Sequence, residues 1–205
     1  MNIQTTVVER LRNELTRLKS LPASEAVSMP PDYYTSEAFL ALEKDHIFRK
    51  DWVCLGHEGE VAKPGDFYTT EIVDEQLLVT RTQDGEVKVY SNVCRHRGNT
   101  VAEGRGNAGR FTCKYHGWTY TGKDGQLIGA PLMDQVPGFD KKECNLPSFK
   151  TEIWNGFLFV NLSGDAPPLA PQLAEMDPLI RNYHIDERNF LFTGDDVWQT
   201  NWKSL

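Results

Sequence analysis

Two of the chain's four cysteines and two of its five histidines fall between Cys94 and Trp118. They come as Cys94-x-His96 and, after 16 intervening residues, Cys113-x-x-His116. A glycine follows each pair within two residues, Gly98 and Gly117. This pattern restricts the fold more than any other feature of the sequence. Whatever sheets the chain makes must bring two loop tips together, each carrying one thiol and one imidazole. Glycine at those tips lets backbone N–H groups approach a bound cluster closely. Four cysteines in 205 residues do not make a disulfide scaffold, and in a chain without an export signal paired Cys/His points to metal.

Two metal units accept two thiolates and two imidazoles. Zinc takes them as a tetrahedron, and its ligands usually come as like pairs. A Rieske-type [2Fe–2S] cluster takes two Cys on one iron and two His on the other. Here each loop carries one Cys and one His in the same order, so each can reach both ends of a dinuclear cluster. The spacing favours the [2Fe–2S] reading, with zinc as the alternative. Four unrelated core residues is the bland reading, and Gly-flanked, His-bearing tips are poor core material.

Around this centre the chain divides into stretches. Val7, Val8, Leu11, Leu15 and Leu18 recur at three- and four-residue steps, an amphipathic helix that Pro22 stops. Pro30 and Pro31 mark a linker, and Thr35 or Ser36 can cap a second helix over 37–49. From 52 to 162 the pattern turns to short strands. Asp84-Gly85 and Asp124-Gly125 are hairpin turns, and IWNGFLFVNL is a third apolar strand run. These predict an antiparallel sandwich or small barrel. Residues 165–171 are a linker, followed by a short helix broken near Pro178 and a strand-like run from Asn189. The expected class is α+β, mainly β, with segments 1–50, 51–164 and 165–205. The net charge of −7 argues against general nucleic-acid binding. No apolar run approaches a membrane span of about 20 residues. The N-terminus lacks signal-peptide features, which places the protein in the cytoplasm.

Residues 94–120, CRHRGNTVAEGRGNAGRFTCKYHGWTY, resemble the Rieske motif of the large (α) subunits of Rieske non-haem iron oxygenases, the aromatic-ring-hydroxylating family. The resemblance runs from about Tyr34 onward and takes in HIFRKDWVCLGHEGEVAKPGDF and WNGFLFVNL. Respiratory Rieske proteins carry an extra, disulfide-forming cysteine in each loop, and neither loop here has one. Cys54 and Cys144 lie outside both loops and read as buried small hydrophobes.

The resemblance implies a Rieske-type β-sandwich with N-terminal helices and the first elements of an incomplete α+β catalytic domain. It implies Cys94, His96, Cys113 and His116 as ligands of a [2Fe–2S] cluster. The cluster receives electrons from a reductase or ferredoxin and passes them to a mononuclear Fe(II), where O2 is activated for a small-molecule substrate. Such subunits form homotrimers in which a cluster histidine, His116 by motif position, hands the electron to a carboxylate of the adjacent subunit. In the family the iron site follows an Asn-Trp-Lys. This sequence reaches Asn201-Trp202-Lys203 and stops two residues later, so it reads as a fragment without catalytic residues of its own, whose WQTNWKSL has nothing to pack against. Outside the loops His46, expected to be half-buried, His57 and His184 supply no two-His-one-carboxylate set, although His184-Ile-Asp186 has the form of part of one. The alternatives are a stand-alone Rieske ferredoxin-type carrier and a monooxygenase acting on a quaternary amine. Arg95, Arg97, Arg105, Arg110 and Lys114, against Glu103 alone, read either as solvated charges or as a positive docking rim. Trp118 is expected to pack under the second loop or to be a plain core residue.

Overall fold

The computed structural model describes residues 3–194 and 196–204. It forms two compact units: residues up to Arg49 together with those from Gly194 on, and Lys50–Thr193.

In the first unit α1 (Ile3–Lys19) buries Leu11 completely, while Val8 and Leu18 are half-buried and Leu15 is exposed. The side chain of Val7 lies outside the described residues. The short α2 (Asp32–Thr35) buries Tyr33, whose hydroxyl donates to the Leu11 carbonyl. Ser36, rather than Thr35, caps α3 (Glu37–Glu43): its Oγ accepts the Phe39 N–H at 3.3 Å. The helix expected to run to 49 changes after Glu43 into a π-helical turn, Lys44–Phe48. That turn leaves His46 exposed, where half-burial was expected.

Within WQTNWKSL, whose last residue lies outside the described ones, Asn201, Trp202 and Lys203 do find partners. Lys203 Nζ lies 2.7 and 2.9 Å from the two carboxylate oxygens of Glu43. Trp202 Nε1 donates to the same carboxylate at 3.2 Å, and Asn201 donates to the Tyr34 carbonyl at 3.1 Å. Nothing in the local sequence marks Glu43 as the partner, because the pair spans 160 residues.

The second unit holds all ten strands found among the described residues: β1 (Val53–His57), β2 (Asp66–Ile72), β3 (Glu75–Arg81), β4 (Val87–Ser91), β5 (Arg105–Asn107), β6 (Arg110–Thr112), β7 (Thr119–Thr121), β8 (Leu127–Gly129), β9 (Lys150–Trp154) and β10 (Phe157–Asn161). They form three antiparallel sheets, β1-β10-β9, β4-β3-β2-β5 and β6-β7-β8. The expected turns at Asp84-Gly85 and Asp124-Gly125 join β3 to β4 and β7 to β8. The run read as one strand, IWNGFLFVNL, is a hairpin. Asn155 and Gly156 both take positive φ, 49° and 80°, the primed turn that Asn-Gly favours. Apolar continuity across the turn hides it in the sequence.

Strand β3 explains the layering. Leu77 and Val79 point into a core shared with Val87, Val89, Leu158 and Val160. Leu78 points the other way, into a core with Tyr90, Phe111, Trp118 and Tyr120. A strand buried on both faces reads as a continuous apolar run rather than an alternation, which is what QLLVT shows. The β4-β3-β2-β5 sheet is therefore the middle layer, and one of its faces backs the loops that carry the Cys/His pairs.

After β10, Lys50 pairs with Asp165 at 3.2 Å, Trp52 Nε1 donates to the Pro167 carbonyl at 2.8 Å, and Trp154 Nε1 donates to Asp177 at 3.0 Å. These bonds hold residues 165–193 in the strand-bearing unit, whereas 194–204 go with the helices, so the stretch set apart as 165–205 is divided. Pro178 does not break a helix. It sits in the first turn of α5 (Asp177–Ile180), where its missing N–H costs nothing, after a separate α4 (Leu169–Gln172). The run after Asn189 makes no strand among the described residues, and Leu191 and Phe192 are exposed.

Candidate metal centre

The two loops are built on the same backbone frame. The first leaves β4 through Asn92, whose side chain donates to and accepts from Ala102 at 2.9 Å each way. The second joins β6 to β7. In the first, the Cys94 N–H donates to the Asn99 carbonyl at 2.8 Å and the Gly98 N–H to the Cys94 carbonyl at 3.0 Å. In the second, Cys113 N–H donates to Trp118 at 2.8 Å and Gly117 N–H to Cys113 at 3.0 Å. Gly98 and Gly117 both sit at φ 73°, a conformation other residues reach only with strain.

The frames pair the expected ligands by type, cysteine near cysteine and histidine against histidine. Cys94 and Cys113 are buried in the same core cluster. The His96 and His116 rings meet edge to face, centroids 4.6 Å apart at 71°. The residues differ in exposure: His96 is half-buried and His116 is exposed.

The donor set fits a [2Fe–2S] cluster. His96 Nδ1 is buried with no hydrogen-bond partner among the described residues, a lone pair that protein does not satisfy. Burial, followed by the neighbouring His116 and Arg97, lowers the His96 pKa and so favours the neutral form that binds metal. Burial pushes the Cys113 thiol up, but the N–H groups of Tyr115 and His116, the Cys94 sulfur and the Asn99 amide outweigh it and hold the thiol below its ordinary value. Among the described residues no three His, Cys, Asp or Glu gather about one point as a single ion would need. A [2Fe–2S] cluster asks only two protein ligands of each iron.

Two further residues reach the sulfurs and were not anticipated. The Tyr120 hydroxyl lies 3.3 Å from Cys94 Sγ and accepts the Arg95 N–H at 3.1 Å. Burial, first, keeps that phenol protonated far above its ordinary pKa, so it is a donor toward a thiolate. Asn99 Nδ2 lies 3.9 Å from Cys113 Sγ, linking the first loop to the second loop's sulfur. A strand tyrosine and a loop asparagine carry no sequence signal for such roles; only the fold aims them.

Other expectations shift. Lys114 pairs with Glu103 at 2.7 Å. Arg105 pairs with Glu60 at 2.7 Å and lies over the Tyr68 ring. Arg95, Arg97 and Arg110 are exposed. Cys54 is exposed rather than buried, because it lies on the face of β1 opposite Val53 and Leu55, which pack on the core, and Cys144 is half-buried. His57 stacks on Phe190 and accepts the Gly59 N–H, and exposed His184 pairs with Glu187.

Residues 51–145 match the Rieske [2Fe-2S] domain family. The chain is 40% identical over 151 residues to the biphenyl 2,3-dioxygenase α subunit of Rhodococcus jostii, a match covering 72% of this chain and 32% of that one. It is 37% identical over 149 residues to the carnitine monooxygenase oxygenase subunit of Acinetobacter baumannii, covering 72% and 40%. Among solved structures, the apo form of the quaternary ammonium Rieske monooxygenase CntA superposes with a TM-score of 0.73 at 34% identity, over 77% of this chain and 46% of that one. The chain thus spans less than half the length of these proteins. Loops, fold and relatives agree: residues 51–145 are a Rieske [2Fe–2S] domain, and the chain that carries them is similar to the oxygenase subunits of Rieske oxygenases.

Proposed function

We propose that Cys94, His96, Cys113 and His116 hold the [2Fe–2S] cluster and that the chain is the electron-transfer part of an aromatic-ring-hydroxylating oxygenase α subunit. When bound, the cluster stores one electron between a reductase or ferredoxin and a mononuclear iron at which O2 is activated. The buried sulfurs of Cys94 and Cys113 supply thiolates out of reach of water. His96 and His116 supply neutral imidazoles, so the oxidised unit carries no net charge and one electron makes it −1. His116 offers a ring edge to solvent, and its exposure is the observation that carries this reading. An electron entering or leaving needs a ligand that a partner can touch, and a buried thiolate is not one. Arg95 and Arg97, exposed on either side of His96, suit an acidic donor. In the assembled protein, a cytoplasmic homotrimer, the acceptor is a carboxylate of the neighbouring subunit.

A second reading has its own support. Relatives acting on carnitine match almost as well as those acting on biphenyl, and the CntA superposition extends over three quarters of the chain. A quaternary amine that loses a methyl group is therefore the alternative substrate class.

The test uses the full-length protein, loaded with cluster and mononuclear iron. Turnover of an aromatic hydrocarbon or acid to a diol supports the first reading, and aldehyde release from a quaternary amine the second. Replacing the acidic residue expected shortly after Leu205 should stop product formation while leaving cluster reduction by the donor unchanged. Product at the normal rate, or loss of cluster reduction as well, contradicts the His116 route.

Tyr120→Phe should lower the reduction potential. The phenol donates to a sulfur whose charge grows on reduction, so removing it disfavours the reduced state. A hydrogen bond worth about 1 kcal/mol corresponds to roughly 40 mV for one electron. A redox titration against the parent protein checks this, and an unchanged or raised potential contradicts the contact.

A further inference from the structure

Trp118 is buried in the core cluster that also holds Cys113 of its own loop. It leaves the second loop and lies flat on His96 of the first, ring centroids 4.8 Å apart and planes within 8°. It is 3% exposed, and Phe139 meets it at 5.7 Å and 61°. Its carbonyl accepts the Cys113 N–H, so the residue that closes the second loop also covers the first loop's imidazole.

Core packing alone does not account for a tryptophan here. Its indole N–H is buried and bonds nothing among the described residues, and an unmatched buried donor is costly. A phenylalanine or leucine would fill apolar space without that cost. What the indole adds is a wide flat face matched to the imidazole plane. That face opposes rotation of the His96 ring and keeps water from one side of it. His116 has no parallel partner of this kind among the described residues: Tyr115 leans on it at 36° and His96 meets it edge-on.

We infer that Trp118 is a positioning residue for His96, fixing the orientation of one of the two imidazoles while leaving the other free to meet a partner. The inference rests on His96 being a cluster ligand. It assigns the two histidines separate duties, one held and one presented.

The experiment compares Trp118→Leu, Trp118→Phe and Phe139→Leu with the parent, all loaded with cluster and reduced. Pulsed EPR reads the nitrogen couplings of the two histidines, and a chelator assay reads the rate of iron release. Trp118→Leu is expected to shift or broaden one nitrogen coupling, leave the other in place, and speed iron release about tenfold, the size typical of losing a residue that orients a metal ligand. Trp118→Phe, which keeps an aromatic face, should stay near the parent coupling. Phe139→Leu, which loosens the same core without touching His96, should leave both couplings unchanged. If Trp118→Leu changes neither coupling nor release rate, or moves both couplings together, Trp118 is packing only and the inference is overturned. Failure of the underlying reading looks different: a parent without two histidine couplings, or a His96→Ala protein that keeps both, removes His96 from the ligand set whatever Trp118 does.

Discussion

Cys94→Ser, His96→Ala, Cys113→Ser and His116→Ala are each expected to yield protein lacking the rhombic EPR signal of the reduced cluster, with bound iron and sulfide at background. Each iron of a Rieske cluster has two protein ligands, so losing one leaves an iron with a single attachment to the chain. The four should fail alike although they differ in exposure, because the loss lies in coordination and not in packing. The sandwich itself should survive. Both loops are closed by backbone hydrogen bonds, Cys94 to Asn99 and Cys113 to Trp118, that no side-chain replacement removes. Iron and sulfide analysis beside circular dichroism separates the two effects. A variant that keeps parental metal content and signal takes that residue out of the ligand set.

Glu43→Ala is expected to destabilise the helical unit by about 3–5 kcal/mol, the usual consequence of leaving a buried charge without its partner. Glu43 is 4% exposed, and its carboxylate meets Lys203 Nζ through both oxygens. The ammonium also lies 5.2–5.7 Å from the ring centres of Trp202, Tyr34 and Phe39. With Glu43 truncated, that desolvated cation keeps only the rings, which supply roughly 0.5–2 kcal/mol. Urea unfolding reads the loss, and amide exchange should place it in α1 and α3. Glu43→Leu with Lys203→Met should recover most of the stability, since replacing both charges by apolar groups of similar size is often neutral. The cluster signal should not change in either protein. A Glu43→Ala protein within 1 kcal/mol of the parent would mean that water reaches the pair.

The centre was far more legible in the sequence than its surroundings. Two Cys/His pairs on two short loops are a local pattern, and the fold brings cysteine near cysteine and histidine against histidine. The Asp-Gly turns were legible for the same reason, since Asp-Gly marks a tight hairpin turn and glycine takes the positive φ that Gly85 and Gly125 show. Asn155-Gly156 is an equally good turn, but it lies inside an unbroken apolar run, and the stronger signal masked it. Glu43 and Lys203, Tyr120 and Cys94, and Trp118 and His96 were not legible. Each contact joins residues that only the completed fold makes neighbours, and no spacing rule connects them.

The matched loops have a consequence for direction. Two hairpin tips with the same closing bonds and the same glycine geometry would, if their side chains also matched, give the cluster two interchangeable ends. The histidine stands two places after cysteine in one loop and three places after it in the other. That single step turns one ring against the protein and the other toward the outside, as their crossing at 71° and unequal exposure record. A near-copy with one offset is thus an economical way to turn a symmetric holder into a polarised one, with an anchored side and a contact side. Restoring equal spacing, by deleting Tyr115 or by inserting a residue after Arg95, would test whether polarity is a property of the metal or of the count.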